Sequence, residues 1–435
     1  MSEVKLPEGW VKTNLGSILE FKYGKSLPQK IRNGGRYSVY GSNGVVGKHS
    51  QPLTDTCGLI VGRKGSYGEV NISQEPFFPI DTTYFIDELY EQPIKYWFYQ
   101  LKHLPLTTLN RSTAIPGLNR EDAYKQMIYL PSIKEQKIIA EKLDVLLAQV
   151  DSIKARLDQI PLILKKFRQS ALTAAVSGKL TEDWHNNINH SKELKIKDLI
   201  DSLDQGWSPK CENTPALNKE WGVIKTSSIQ PCYFVANENK KLPHNLAPRK
   251  NLTIKKGDIL ITRAGPRSRC GITCIVKHDH NKLLICDKVY RLRTKKNIII
   301  SQFLNWCLNS PNYLLDIENI KTGSSESGMN MTQEKLLSLK ISTPPLEEQT
   351  EIVRRVEQLF AYADGVEKQV NNALERVNNL TQSILTKAFR GELTEQWRNE
   401  NPDLISGENS AEALLARIKA ERAAQQPQKK TRKKA

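Results

Sequence analysis

No apolar run in the 435 residues approaches the roughly eighteen that a membrane-spanning helix needs. Met1–Trp10 carries charges where a signal peptide would be apolar. A cytoplasmic protein that stays off membranes is expected. Cysteine is scarce, seven in all, with no CxxC pair and no Cys/His quartet at zinc-finger spacing. Six of them (Cys211, Cys232, Cys270, Cys274, Cys286, Cys307) fall in the second half, where a metal cluster is the alternative to reduced core thiols. They are read as core, and no metal site is assigned. Catalytic signatures are missing too. An adenine methyltransferase would need a glycine-rich cofactor turn and an Asn/Asp-Pro-Pro-aromatic motif, but Asn401-Pro402-Asp403-Leu404 lacks the second proline and the aromatic. The stretch Gly41–His49 misses the phosphate-loop spacing, with Ser42 where the first glycine belongs and His49 in place of Ser/Thr. No HExxH or GxSxG occurs. Asp81 and a Glu-x-Lys at Glu135 to Lys137 are scattered carboxylates. Glu135 reads as an ordinary residue at a helix start, favoured there by the dipole. No catalytic residue is assigned.

What is present begins with charge. Lys plus Arg number 64 against 47 Asp plus Glu, a net +17 and a pI near 9.4, which favours a polyanionic partner such as nucleic acid, with plain solubility as the alternative. Five of the positive charges (Lys429, Lys430, Arg432, Lys433, Lys434) sit in a tail that reads as a disordered basic extension.

The chain is also written twice. Without a gap, residues 131–184 match residues 344–397 at 17 of 54 positions, including Pro131/Pro344, Glu135/Glu348, Gln136/Gln349, Asp151/Asp364 and the run Leu180-Thr181-Glu182 with Trp184 against Leu393-Thr394-Glu395 with Trp397. The first copy carries an apolar seam at Ile139, Leu143, Leu146, Val150, Ile153, Leu157, Ile160, Leu164, Phe167, Ala171 and Ala174, every step 4 or 3. The second repeats it at Ile352, Val356, Leu359, Ala363, Val366, Val370, Ala373, Val377, Leu380 and Ile384, with Lys387 closing it. A 3.5-residue period held over five heptads calls for two long helices packed knobs into holes, and the copies are each other's obvious partners. Pro161, where the second copy has Leu374, removes an intrahelical bond, so a kink is expected in the first helix alone.

A weaker echo covers the rest. Gly58-Leu59-Ile60-Val61 leads into Gly62–Gly68, and Asp258-Ile259-Leu260-Ile261 leads into Thr262–Gly271; both read as a strand followed by a basic loop punctuated by glycine. Asp81–Tyr84 parallels Asp287–Tyr290, and aromatic-rich helical stretches follow at Ile94–Leu101 and Ile299–Leu308. The opening strands are matched around Trp10–Thr13 and Trp221–Thr226. Leu199–Leu203, before the second globule, is matched with Leu414–Ile418 near the C-terminus. The order globule, helix, globule, helix then reads as a closed ring cut open, with neighbouring termini.

Pro-x-Ile/Leu-x-Glu-Gln heading each helix, Gly-x-Leu-Thr-Glu-x-Trp closing it and two unlike globules between resemble the specificity subunit of type I restriction-modification enzymes, HsdS. Residues 131–184 and especially 344–426, with the run Arg354–Asp364, are similar to the type IA, EcoKI-like branch. The resemblance implies an α+β protein with an internal pseudo-twofold repeat, in which two globular target-recognition domains are separated by two long antiparallel coiled-coil helices. The expected boundaries are 1–130 for the first target-recognition domain and 131–205 for the central helical spacer. The second domain follows at 206–343, the second spacer at 344–400, and a C-terminal helix with the basic tail at 401–435.

The resemblance also implies double-stranded DNA and two methyltransferase subunits as partners, with two motor-nuclease subunits besides. S-adenosylmethionine, ATP and magnesium would belong to those subunits and none to this chain. Its role would be to read a bipartite, asymmetric target and direct N6-adenine methylation and restriction. Arginine on a short glycine-flanked loop suits base reading, since its fork matches guanine O6 and N7. Arg63, Lys64, Ser66 and Tyr67 are the candidates in the first domain, and Arg263, Arg267, Ser268 and Arg269 in the second. Each is a base reader, with a phosphate contact or a place in a solvated hairpin loop as the alternatives. Asn43 and Lys48 are added in the first domain, with no counterpart in the second. The seam Ile139–Ala174, 36 residues or roughly 54 Å at ~1.5 Å each, suffices to hold readers a duplex turn apart. An intrinsic DNA methyltransferase or nuclease, and a DNA-binding adaptor without a modification partner, remain the alternatives.

Overall fold

A computed structural model describes residues 6–110, 116–184, 191–217 and 219–425. The chain forms two compact units: Met1–Leu157 with Asn372–Ala435, and Asp158–Asn371. The division runs through both long helices, Ile133–Val176 and Leu346–Phe389, of 44 residues each. Pro131 and the pair Pro344-Pro345 stop the preceding strands, and Ser132 Oγ accepts the Glu135 amide at 3.2 Å to cap the first helix. Gly178 (φ +79°) and Gly391 (φ +77°) end the helices in the left-handed conformation that glycine adopts freely. The first helix runs on past Pro161, whose side chain is exposed.

Past Ile139 and Ile352, which are buried at the helix starts, the seam is buried mostly at strict sevens, with Leu157 half-buried. In the first unit Leu143 and Val150 are buried, as are Val377 and Ile384; in the second unit it is Leu164 and Ala171 with Val356, Ala363 and Val370. The intervening positions sit at the edge of the seam and are mostly half-buried, while Ile153 and Leu380 are 46% and 44% exposed, against expectation. Each unit holds the start of one helix and the end of the other. In the first, Lys142 Nζ donates to Leu393 O at 2.8 Å; in the second, Arg355 Nη1 donates to Leu180 O at 2.7 Å. These are one contact made twice with the copies exchanged, so within each unit the two helices pair antiparallel and the repeat is seen in both.

The globular parts share a plan. In the first unit an antiparallel sheet has the order Lys22–Tyr23, Thr83–Ile86, Gly58–Gly62, Val70–Ser73; the second has Ile200–Gln205, Val289–Thr294, Ile259–Thr262, Thr273–Ile275. The central strands Gly58–Gly62 and Ile259–Thr262 are buried throughout, which accounts for their continuous apolar runs. Beside each lies a second sheet, three-stranded in the first unit and four-stranded in the second, with one parallel pairing, Tyr37–Gly41 with Phe78–Pro79 and Gly222–Ile224 with His280–Leu284. The helices Ile94–His103 and Ser301–Asn309 press Trp97 and Trp306 into the cores.

Two sequence matches need correction. Val11–Asn14 pairs with Met127–Leu130, and its counterpart is Lys192–Lys195, which pairs with Lys340–Thr343. Trp221–Thr226 therefore does not match Trp10–Thr13; its strand, with one parallel and one antiparallel neighbour, occupies the place of Tyr37–Gly41. Leu199–Leu203 is the end of a helical turn running into strand Ile200–Gln205, whereas Leu414–Ile418 lies inside the helix Ala411–Gln425. Ladder bonds to Val289–Thr294 hold the former extended, while Leu414, Leu415 and Ile418 face one core at helical spacing. The ends of the described chain do meet within the first unit, where Arg422 Nη1 donates to Gly16 O at 2.7 Å. The basic tail lies outside the described residues.

Candidate nucleic-acid interface

The two glycine-punctuated loops leave their sheets at the same station. In the first unit Arg63 N bonds Thr82 O and Arg63 O accepts from Leu118 N, each at 2.9 Å; in the second Arg263 N bonds Lys288 O at 2.9 Å and Arg263 O accepts from Met331 N at 2.8 Å. Tyr84 Oη donates to Leu118 O and Tyr290 Oη to Met331 O, both at 3.2 Å. The backbone frame is thus the same, and the side chains it carries are not.

In the first loop Lys64 and Ser66 are exposed, and Gly65 turns the tip with φ +75°. Tyr67 folds back onto the core. The Ser42-Asn43 hairpin tip joins this loop, with Ser42 Oγ 2.5 Å from Lys64 O, so Asn43 lies exposed beside it. Lys48 is exposed farther along the same hairpin, opposite Ser38. The Arg63 guanidinium lies 5.3 Å from the centre of the Tyr23 ring, and Arg120 lies 5.1 Å from the same ring. Burial, with the Tyr23 hydroxyl adding to it, pushes the Tyr84 phenol up to about 12, while Arg63 and Arg120 pull the other way.

In the second loop Arg267 and Ser268 are exposed at the tip. Arg267 is tied to Glu318 (3.1 Å) and Glu326 (3.3 Å). Lys321, bonded to Glu318 at 2.6 Å and seconded by Arg267, holds that carboxyl below its usual range. Arg263 turns inward: Nε donates to Asp287 O (2.8 Å) and Nη1 to Asn330 Oδ1 (2.9 Å). Arg269 donates to the carbonyls of Thr226 and Ile229, the latter at 2.7 Å, bracing the long connection that stands where the first unit has its short Asn43 turn.

Arg120 and Tyr23, and the counter-ions Glu318 and Glu326, were not singled out from the sequence. Carrying the 213-residue offset back from Pro131 to Leu118 would have set Arg120 against Gln333 and exposed the first. Among the described residues no His/Cys/Asp/Glu group is placed to hold a metal ion, and no helix is long and apolar enough to cross a membrane. The cysteines are unpaired; burial pushes the Cys232 thiol up to about 12 and Cys286 up to about 11.

The family model described as the type I restriction modification DNA specificity domain matches residues 7–162 and 190–376, one match for each half of the repeat. The chain belongs to the type I restriction-modification specificity-subunit family. It is 39% identical to the EcoKI specificity subunit of Escherichia coli K12 and 38% identical to the StySPI specificity subunit of Salmonella potsdam, covering 100% of both chains in each case. These full-length similarities place it in the type IA branch. The HsdS subunit of Thermoanaerobacter tengcongensis shares the fold at a TM-score of 0.55 and 19% identity, over 90% of this chain and 99% of that one. So does a chain solved in work on complex assembly and conformational transition of a type I R-M system, at a TM-score of 0.62 and 18% identity, over 89% and 99%. Within this family the specificity subunit is the non-catalytic member and binds no cofactor itself, which sets aside the methyltransferase and nuclease readings.

Proposed function

We propose that the chain reads a bipartite, asymmetric sequence in double-stranded DNA, one half with each unit. It directs two methyltransferase subunits to one adenine on each strand and two motor-nuclease subunits to unmodified DNA, in the cytoplasm. S-adenosylmethionine on the former and ATP with magnesium on the latter supply the chemistry, and the target adenine flips into the partner's pocket. The observation that carries this reading is the pair of loops on one frame with unlike tips, Lys64-Gly65-Ser66 against Pro266-Arg267-Ser268. Phosphate contacts place a protein on the duplex, and groove contacts by different side chains choose different bases. Lys64, Ser66, Arg267 and Ser268 are assigned to base edges, with Asn43 in support and Lys48 on the backbone. Tyr67, Arg263 and Arg269 hold the loops in shape. Producing the chain with its methyltransferase in an unmethylated host and mapping N6-methyladenine tests it. Two unlike half-sites separated by unread base pairs are expected; a single uninterrupted palindrome would overturn the reading.

A further inference from the structure

Arg63 and Arg120 place two guanidinium groups on one half-exposed tyrosine, Tyr23, and the surroundings do little to neutralise them. The Nε atoms of both arginines are buried without a hydrogen-bond partner. Among the described residues the one ion pair of Arg120 is with the exposed Glu121 at 3.9 Å, too far for a hydrogen bond, and Arg63 has none. Lys64, itself exposed, adds a third cation next door. The doublet is built rather than accidental. The Arg63 O to Leu118 N bond brings the two chain segments together, Tyr23 pairs with Tyr84 in the sheet, and the Tyr84 ring supports Tyr23 edge-on at 5.2 Å.

The second unit shows what the same frame looks like without it. Gln205 pairs with Tyr290 where Tyr23 pairs with Tyr84, and Gln333 follows the cap residue Thr332 where Arg120 follows Asn119. The remaining arginine, Arg263, is satisfied by Asp287 O and Asn330.

We propose that Tyr23, Arg63 and Arg120 form a seat for one backbone phosphate of the DNA, present in the first unit and absent from the second. Two guanidinia within 5.3 Å of one ring centre bring together several N–H donors and two positive charges. A phosphodiester offers both the several acceptors and the negative charge they lack; a base edge offers two acceptors and no charge. Arg63 is then a backbone contact, and sequence discrimination in the first unit rests on the loop tip and the Asn43 turn.

This rests on the DNA-reading role proposed above, and the test separates the two. The full chain, assembled with its methyltransferase, is titrated with the mapped target duplex and a scrambled duplex over a series of KCl concentrations. Arg120→Gln, which installs the residue of the second unit, should weaken both duplexes by the same factor, about three- to tenfold, and lower the salt slope by about 1. Tyr23→Leu should act in the same direction. Duplexes carrying a single neutral methylphosphonate give a readout independent of folding: the unaltered protein should lose affinity at one phosphate position where Arg120→Gln loses nothing further. Selective loss on the target duplex at an unchanged slope would make Arg120 a base reader and overturn the seat, as would unchanged binding to both duplexes. Failure of the unaltered complex to bind either duplex would instead overturn the DNA-reading role itself.

Discussion

At the station of the glycine-punctuated loop the first unit leaves its cations loose and the second ties them down. Among the described residues Lys64 and Arg63 make no ion pair and Arg120 has only the exposed Glu121 at 3.9 Å, while Arg267 faces two carboxylates and Arg263 and Arg269 donate to neighbouring carbonyls. Behind those loops the units agree in strand order, in the carbonyl that each tyrosine hydroxyl finds and in the exchange of Lys142 and Arg355 between copies. A frame can be kept while its recognition surface changes if the frame is held by backbone bonds and apolar burial, which are indifferent to the loop's side chains.

The largest expected effect comes from breaking that frame. Glu135 is fully buried in the first unit and accepts from Arg398 and Thr394, each at 2.6 Å, and from Trp10 Nε1 at 2.8 Å. Arg398→Met keeps the bulk and strands a buried carboxylate, so a loss of about 3 to 5 kcal/mol is expected in denaturant unfolding of the full chain. Burial already pushes the Glu135 carboxyl above its usual range, with Thr394, Arg398 and Trp10 pulling it back. Removing Arg398 raises it further. A carboxyl raised in the fold favours the protonated folded state, so stability is lost as pH rises through the folded value and regained below it. The deficit of the variant should therefore shrink from pH 8 toward pH 5; a deficit that grew with acid would show Glu135 to be a low-pKa partner.

What the sequence made legible follows from the same split. The long helices announce themselves because burial recurs every seven residues, Val356 to Ile384, and the central strands because Gly58–Gly62 and Ile259–Thr262 are buried on both faces. Gly222–Ile224 was misplaced because three residues carry too little periodicity to reveal which partners they pair with; only the parallel pairing with His280–Leu284 does that. At the site, basic residues near glycines could be listed, but not their posture. Arg267 and Arg269 are two residues apart, yet one is at the tip and the other braces carbonyls some forty positions away in sequence. Arg120 and Tyr23 join Arg63 only through sheet pairing.

That difference in posture gives the next two effects in size. Arg269→Ala removes charge-assisted bonds to Thr226 and Ile229 and should cost about 2 kcal/mol of stability. The preferred bases of the second half-site should be unchanged in methylation maps, and a changed preference would make Arg269 a reader. Arg267→Ala should do the reverse: stability nearly unaffected, and discrimination at one position of the second half-site lowered by about 1 to 3 kcal/mol. Lys64→Ala should affect only the first half-site. Binding by either variant that weakened evenly on all sequences would reassign that residue to the phosphate backbone.

The smallest effect asks whether the tied and loose loops differ in function or only at rest. As a base reader, the role proposed for it, Arg267 would have to leave Glu318 and Glu326 first, and Glu326 is the more exposed of the two, its side chain 81% accessible. Exposed pairs of this kind contribute at most about 1 kcal/mol, so releasing one should raise affinity for the target no more than about fivefold. Glu326→Gln keeps the shape, and the Glu326 carbonyl that accepts from Arg267 N at 2.8 Å is untouched. If the pair is a brake, the variant binds target and scrambled duplexes more tightly, and its advantage fades with added salt as the lost repulsion from phosphates is screened. If the pair instead aims the guanidinium, Glu326→Gln weakens the target duplex alone, and the second unit would then be the one whose reader is held in position before DNA arrives.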